Sequence, residues 1–261
     1  MIDSALQFVP TFVLVVFRLG GMMLYAPLFG SARVPRRVRL MLILVLAAGI
    51  TPGVKPVVEP DTAWGLALAI GGELTFGLAM GMVLSFVFVA VQWAGEIIGQ
   101  QMGINLGEVF DPQFGGQSSV IGDVYFLFAL VVFLTLGGHR SMIRGVRASF
   151  DALPLLSVGV NLGVQNLLMD LLRAATILAM QLAAPVLITM LIVDLVLGLI
   201  GRTIPQMNVM SAALTIRAAV GILVIWLGLA VTGDVIRGAL EQSIKQARIG
   251  WTTPAPAVDG H

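Results

Sequence analysis

Arg18, Glu73, Glu96, Asp123, Arg173, Asp194 and Arg217 are ionisable side chains standing within or beside long apolar runs. At the centre of a membrane span each costs about 2.5–3.5 kcal/mol on insertion scales, so such residues face protein, water or one another. The chemistry open to them is proton relay or charge pairing between helices. Both signs occur and no carboxylates cluster, which favours interhelical pairs or wet-surface residues over a relay. Other reactions have little to work with. The chain has no cysteine, so thiol nucleophiles, disulfides and iron–sulfur sites are excluded, and with only His139 and His261 a histidine metal cluster is excluded too. His139 ends an apolar run with no acid or nucleophile beside it and reads as a capping or interfacial residue. Phosphate loops of the GxxxxGK type, HExxH and GxSxG are absent. No cofactor, no metal and no enzymatic activity are expected.

The elements that position these charges are apolar. Of 261 residues, 58% are hydrophobic and 11% charged, against about 25% charged in soluble domains. Such a surface needs a lipid solvent. A net charge of +1, with arginines in short clusters between apolar runs, gives no basis for nucleic-acid binding. Apolar runs at 8–30, 40–54, 62–93, 119–138, 167–200 and 207–232 predict an all-α polytopic membrane protein. Met1 to Ser4 lack the basic region of a signal peptide, so the first run is expected to stay as a membrane segment.

Run 62–93 would measure about 48 Å as one helix, longer than the ~30 Å hydrocarbon layer. If every run crosses once, Arg33, Arg36, Arg37 and Arg39 fall opposite Arg140, Arg144, Arg147, Arg237, Lys245 and Arg248, against the preference of Lys and Arg for the cytoplasmic side. Two passes or a re-entrant hairpin within 62–93 would put them together, and that arrangement is expected. Pro185 predicts a bend in the run holding Asp194. Residues 234–249 place Ile236, Leu240, Ile244 and Ala247 at helical spacing with Glu241 and Lys245 on the polar side, predicting a separate amphipathic interfacial helix. Residues 250–261 are expected to be disordered.

Gly95, Gly99, Gly103 and Gly107 form a ladder at strict four-residue spacing. On a helix they make one bare ridge whose cost in helix propensity, up to about 1 kcal/mol per glycine, is offset only by close approach of another helix. That helix can belong to this chain or to another. Gly77 with Gly81, and Ala175, Ala179 and Ala183, repeat the small-residue spacing. Past the ladder, Phe110, Asp111, Pro112, Gln113, Phe114, Gly115, Gly116, Gln117 and Ser118 permit neither a continuing helix nor a lipid-facing strand. Irregular backbone between membrane segments must be wet or covered by protein. It is an exposed turn, or a loop projecting into a water-filled pore.

Five segments, in order, resemble the FliR family of flagellar export-gate membrane proteins, to which an injectisome protein is related. They are Phe29-Gly30 through Arg36-Arg37-Val38-Arg39, Gly103 to Pro112, Phe133 to His139, Ser149-Phe150-Asp151-Ala152-Leu153-Pro154, and Gly198 to Val209. The resemblance implies a fold of long helical hairpins in which a FliP-like half (1–164) is fused to a FliQ-like half (165–249), ahead of the tail 250–261. It implies a structural channel subunit of the type III gate, in the inner membrane within the flagellar basal body. Its implied partners are FliP-like and FliQ-like subunits, a FlhB-like protein, membrane lipid, and unfolded proteins in transit. Residues 110–118 would be the plug, and Arg202, Thr203, Ile204, Pro205 and Gln206 the tip of the late hairpin. An ion-coupled secondary transporter is the alternative from another class, alongside the injectisome counterpart of the gate.

Overall fold

The computed structural model describes residues 8–27, 29–30, 34–57, 62–104, 119–156, 163–203 and 209–252. Its regular structure is helical: α1 (Val9–Tyr25), α2 (Arg36–Ile50), a 3-10 turn (Thr51–Gly53), α3 (Ala63–Met102), α4 (Val120–Thr135), α5 (Gly138–Ala152), α6 (Gly163–Thr203) and α7 (Val209–Thr252). The all-α expectation therefore holds among the described residues. Three helices, α3, α6 and α7, contain segments long and apolar enough to cross a membrane, and α4 with α5 makes a fourth if the pair is one span.

Local chemistry sets the helix ends. Pro10 occupies the first turn of α1, where its missing N–H costs nothing. Thr62 caps α3 by accepting from the Gly65 amide at 3.1 Å. Ser119 caps α4, with Asp123 in the first turn complementing the positive end of the helix dipole. α2 opens on Arg36 and Arg37 without a side-chain cap, an unfavourable sign for that dipole. It is held instead by packing: Ile43 and Ala47 are buried, and α2 lies against α1. The Thr51 hydroxyl donates to the Ala47 carbonyl at 2.7 Å, and Pro52 in the next position ends the helix.

Two expectations are corrected. The run at 62–93 neither turns back nor breaks; it lies inside α3, 40 continuous residues or about 60 Å. Nothing in it forbids helix, since it has no proline, and its glycines are tolerated where they pack. A fold-back within it therefore does not account for the charge count; among the described residues α1 and α2 have 17 and 15 residues, against about 20 in a typical span. Likewise 234–249 is not a separate helix but the end of α7, 44 residues long and continuous through Gly233 and Trp251 to Thr252. Burial of Ile236 and Leu240 supports that end, and one interior glycine costs only about 1 kcal/mol. Residues 253–261 lie outside the described residues. α6 runs on through Pro185, whose carbonyl accepts from the Thr189 hydroxyl at 2.8 Å.

By its internal contacts the chain forms two compact units, Met1–Phe86 with Gly137–Leu171 and Leu240–His261, and Val87–Leu136 with Leu172–Ala239. In the first, α1 runs alongside α3, and the amide of Val57 donates to the Thr11 hydroxyl at 3.1 Å. There Val83 and Leu171 bury each other beside Phe86. In the second, α3 and α4 are antiparallel, with Phe88 edge-on to both Phe126 and Phe133 at 5.6 Å.

Between α4 and α5 the backbone turns at Gly137, φ 66°, whose carbonyl accepts from the amides of Arg140 and Ser141. A side chain there would meet no neighbour within 4 Å, so glycine is required for conformation rather than for space. Gly137→Ala should therefore cost about 1–2 kcal/mol, and Gly137→Asn less, because Asn tolerates the left-handed region. Thermal unfolding in detergent should rank Gly, Asn, Ala; a melting temperature unchanged by Ala contradicts the assignment.

Candidate functional site

The first cluster grows from a backbone contact. Along α1 and α3, Gly21 abuts the carbonyl of Leu74, Gly77 the carbonyl of Arg18, and Gly81 that of Met22, where an added Cβ would lie at 2.5 Å. The Ser85 hydroxyl donates to the Tyr25 carbonyl farther along. Partner numbers rise together, so the helices run parallel, and glycine is what lets their backbones touch. Gly77 and Gly81 carry the expected small-residue spacing; Gly21 on the facing helix does not stand out in a linear pattern.

Arg18 sits in this seam with no exposure, and so does Glu73. Arg18 Nε lies 2.5 Å from Glu73 Oε2. Its remaining nitrogens donate at 3.2 Å to Ser149 Oγ and at 3.2 Å to the Leu153 carbonyl. The guanidinium lies over the rings of Phe150 at 4.3 Å and Phe76 at 4.9 Å. One arginine thus ties α1, α3, the last turn of α5 and the residue that ends it. Glu73 Oε1 is buried without a hydrogen bond among the described residues. Sequence reasoning marked Arg18 and Glu73 as charges needing partners. It gave no role to Ser149 and Phe150, whose signal was the amphipathic pattern of α5, with Met142, Val146, Ser149 and Phe150 on its buried side.

The glycine ladder is reached in part. Gly95 of α3 meets Gly122 of α4, and a Cβ on Gly95 would lie 2.6 Å from the Gly122 Cα. Its partner is therefore within the same chain. Gly99 is buried on α3. Gly103 is not a rung of the ridge: it adopts φ 77° and closes the helix, its amide bonded to the Gln100 carbonyl at 3.0 Å and the Ile104 amide to that of Gly99 at 3.1 Å. This is the Schellman arrangement, which needs a left-handed residue and so selects glycine. Gly107, the loop Phe110 to Ser118, and Ile204, Pro205 and Gln206 lie outside the described residues. Arg202 and Thr203 are exposed in the last turn of α6.

Of the other charges, Asp194 on α6 and Arg217 on α7 pair at 2.7 Å, each side chain one-third exposed. Glu96 and Asp123 are half-buried and each has an interaction partner. Arg173 is exposed on α6. His139 stands in the first turn of α5 with Nδ1 buried and without a hydrogen bond among the described residues. No group of three or more His, Cys, Asp or Glu side chains able to hold a metal occurs among the described residues. The charges that come together are pairs of opposite sign on neighbouring helices, suited to holding helices in register.

A family model described as bacterial export proteins, family 1, matches residues 9–243. The flagellar biosynthetic protein FliR of Bacillus subtilis is 31% identical over 249 residues, covering 94% of this chain and 96% of that protein. FliR of Escherichia coli is 31% identical over 201 residues, 76% of each chain. The surface presentation of antigens protein SpaR of Shigella sonnei is 30% identical over 216 residues, 82% of each.

Removing one member of the Arg18–Glu73 pair strands the other in a dry interior, so Arg18→Met or Glu73→Leu alone should cost about 3–5 kcal/mol. The double substitution removes both charges and should recover most of that loss. Thermal unfolding of the three variants measures it; additive losses would mean the two residues do not act as a pair.

Proposed function

The chain belongs to the bacterial export proteins of family 1, the FliR family, and from that premise we propose that it is a structural channel subunit of the flagellar type III protein export gate. In this reading it assembles with FliP-like and FliQ-like subunits, beside a FlhB-like protein, in the inner membrane at the flagellar basal body. Unfolded flagellar proteins pass through the assembly. The part to 164 acts as the FliP-like half and 165–249 as the FliQ-like hairpin, with Arg202 to Gln206 at its tip. Residues 110–118 act as a plug that helps seal the closed channel.

The observation that carries the reading is the bareness of the late helices. Only 22% of the apolar window of α6 and 6% of that of α7 are buried by the chain itself. Ile188, Leu191, Leu195, Leu223, Trp226 and Leu227 are all exposed, in segments whose length suits a membrane. Helices of this kind need lipid or other protein around them. The charges support a structural role over ion-coupled transport, because Arg18 is paired with Glu73 and Arg217 with Asp194. The likeness to SpaR supports a second reading, the injectisome counterpart of the gate.

Co-expression tests the proposal. The chain should run on native gels as one complex with FliP- and FliQ-like subunits and should be much less stable alone in detergent; a stable, solute-binding monomer would favour the transporter. Gly95→Leu, which drives a side chain into the Gly122 backbone, should reduce complex yield at least tenfold, and normal yield contradicts the packing role. Deleting Phe114 to Gln117 should leave assembly intact while raising membrane conductance to ions or small solutes. Unchanged conductance removes the plug.

A further inference from the structure

Every residue that α5 exposes is ionisable. Arg140, Arg144, Arg147 and Asp151 recur at helical spacing and so share one stripe; its three arginines cover about 10 Å of helix within about 60° of arc. The other side of α5, with Met142, Val146, Ser149 and Phe150, is buried in the first unit. That packing fixes the stripe, and the end of the helix is held again where Ser149 and the Leu153 carbonyl receive Arg18. The arginines are therefore presented on a rigid element.

Their charge is not met within the chain. None of the three arginines makes an ion pair among the described residues, like charges four apart on a helix repel, and Asp151 offsets only one of them. Arg147 Nη2 lies 3.9 Å from where a Cβ on Gly53 would stand, beside the turn that leads to the exposed Lys55, so the positive excess grows at that end. The stripe suits an anion, and what precedes it along the chain decides which. Val124, Leu127, Val131 and Leu134 are exposed on α4 and purely apolar, and the next ionisable residue to be exposed is Arg140. Arg140 follows the start of α4 by 20 residues, close to the ~20 that a hydrocarbon layer of ~30 Å takes up. An exposed surface that turns from apolar to basic at that point is what a chain presents on leaving acyl chains for headgroups. An acidic protein would match the arginines equally but does not account for the apolar border beside them.

We infer that the Arg140, Arg144 and Arg147 stripe of α5 binds the phosphate groups of anionic phospholipids at the membrane surface. The inference goes beyond the export-gate reading and does not depend on it. Guanidinium groups take phosphate oxygens through paired N–H donors, so three on one stripe hold neighbouring headgroups and set α5 at a fixed depth. Because α5 also supplies Ser149 and Phe150 to the shell of Arg18, the same contact sets the depth of the first unit against the bilayer.

The test uses the full chain, with the subunits that co-purify with it, reconstituted into phosphatidylcholine vesicles. Phosphatidylglycerol carrying a photoreactive headgroup should label residues 138–152, mapped by peptide mass spectrometry, at least tenfold more than phosphatidylcholine carrying the same group. Equal labelling by the two lipids, or none in that segment, overturns the inference. Arg140→Gln, Arg144→Gln and Arg147→Gln together should lower the labelling at least fivefold, whereas the corresponding triple lysine variant should keep most of it. A glutamine variant labelled like the parent overturns the assignment, and should that variant fail to fold, the parent and lysine measurements still decide. Excess inorganic phosphate should leave the labelling unchanged; competition by it makes this a free-phosphate site and overturns the lipid reading. Loss of a co-purifying protein from the glutamine variant, with lipid labelling intact, places an acidic protein on the stripe and overturns it likewise.

Discussion

A guanidinium and a carboxylate buried without exposure inside a glycine seam are the constraint on which the first unit depends. Backbone contact through Gly21, Gly77 and Gly81 brings α1 and α3 so close that Arg18 has no path to water. Its charge must be met where it lies, and it is met from three directions, by Glu73, Ser149 and the Leu153 carbonyl. A slip of either helix along the other would separate ions in a medium of low dielectric, where desolvation costs several kcal/mol per ion. The seam therefore specifies one register, and α5 is held to the same point because its last turn supplies part of the arginine's shell.

The second unit applies the same physics with a different outcome. Gly95 on Gly122 allows α3 and α4 to touch, and Phe88 packs between two rings of α4. Gly221 of α7 meets Met102 at the end of α3. α6 buries one stripe that includes Ala175, Ala179, Ala183 and Met190, but only 22% of its apolar window and 6% of that of α7 are buried. In water that surface would drive aggregation; in a membrane it is either a lipid face or an unfilled interface. What is missing from the chain, cover for two long helices, is what a subunit of an assembly would obtain from its neighbours.

Much of this was legible from residue types. Composition alone placed the helices in lipid, and the expense of charge in apolar runs singled out Arg18, Glu73, Asp194 and Arg217 as residues needing partners. The resemblance carried by short segments such as Gly103 to Pro112 agrees with the family match over residues 9–243. Identities of the partners were not legible, because Arg18 and Ser149 are 131 positions apart and nothing local links them. The ladder misled for a related reason: four-residue spacing suits a helical ridge, yet Gly103 is chosen for its positive φ, which spacing does not encode. Hydropathy also mistook length for a need to fold back. α3 is long because it belongs to both compact units, and a window matched to bilayer thickness does not register that.

The central claim is that the late helices are completed by other subunits. Amide hydrogen exchange over residues 172–239, compared between the chain alone in detergent and the chain co-expressed with FliP- and FliQ-like subunits, addresses it most directly. Exchange there should slow at least tenfold in the assembly, with little change around Arg18, where the shell is already complete. Equal exchange in both states would contradict the account.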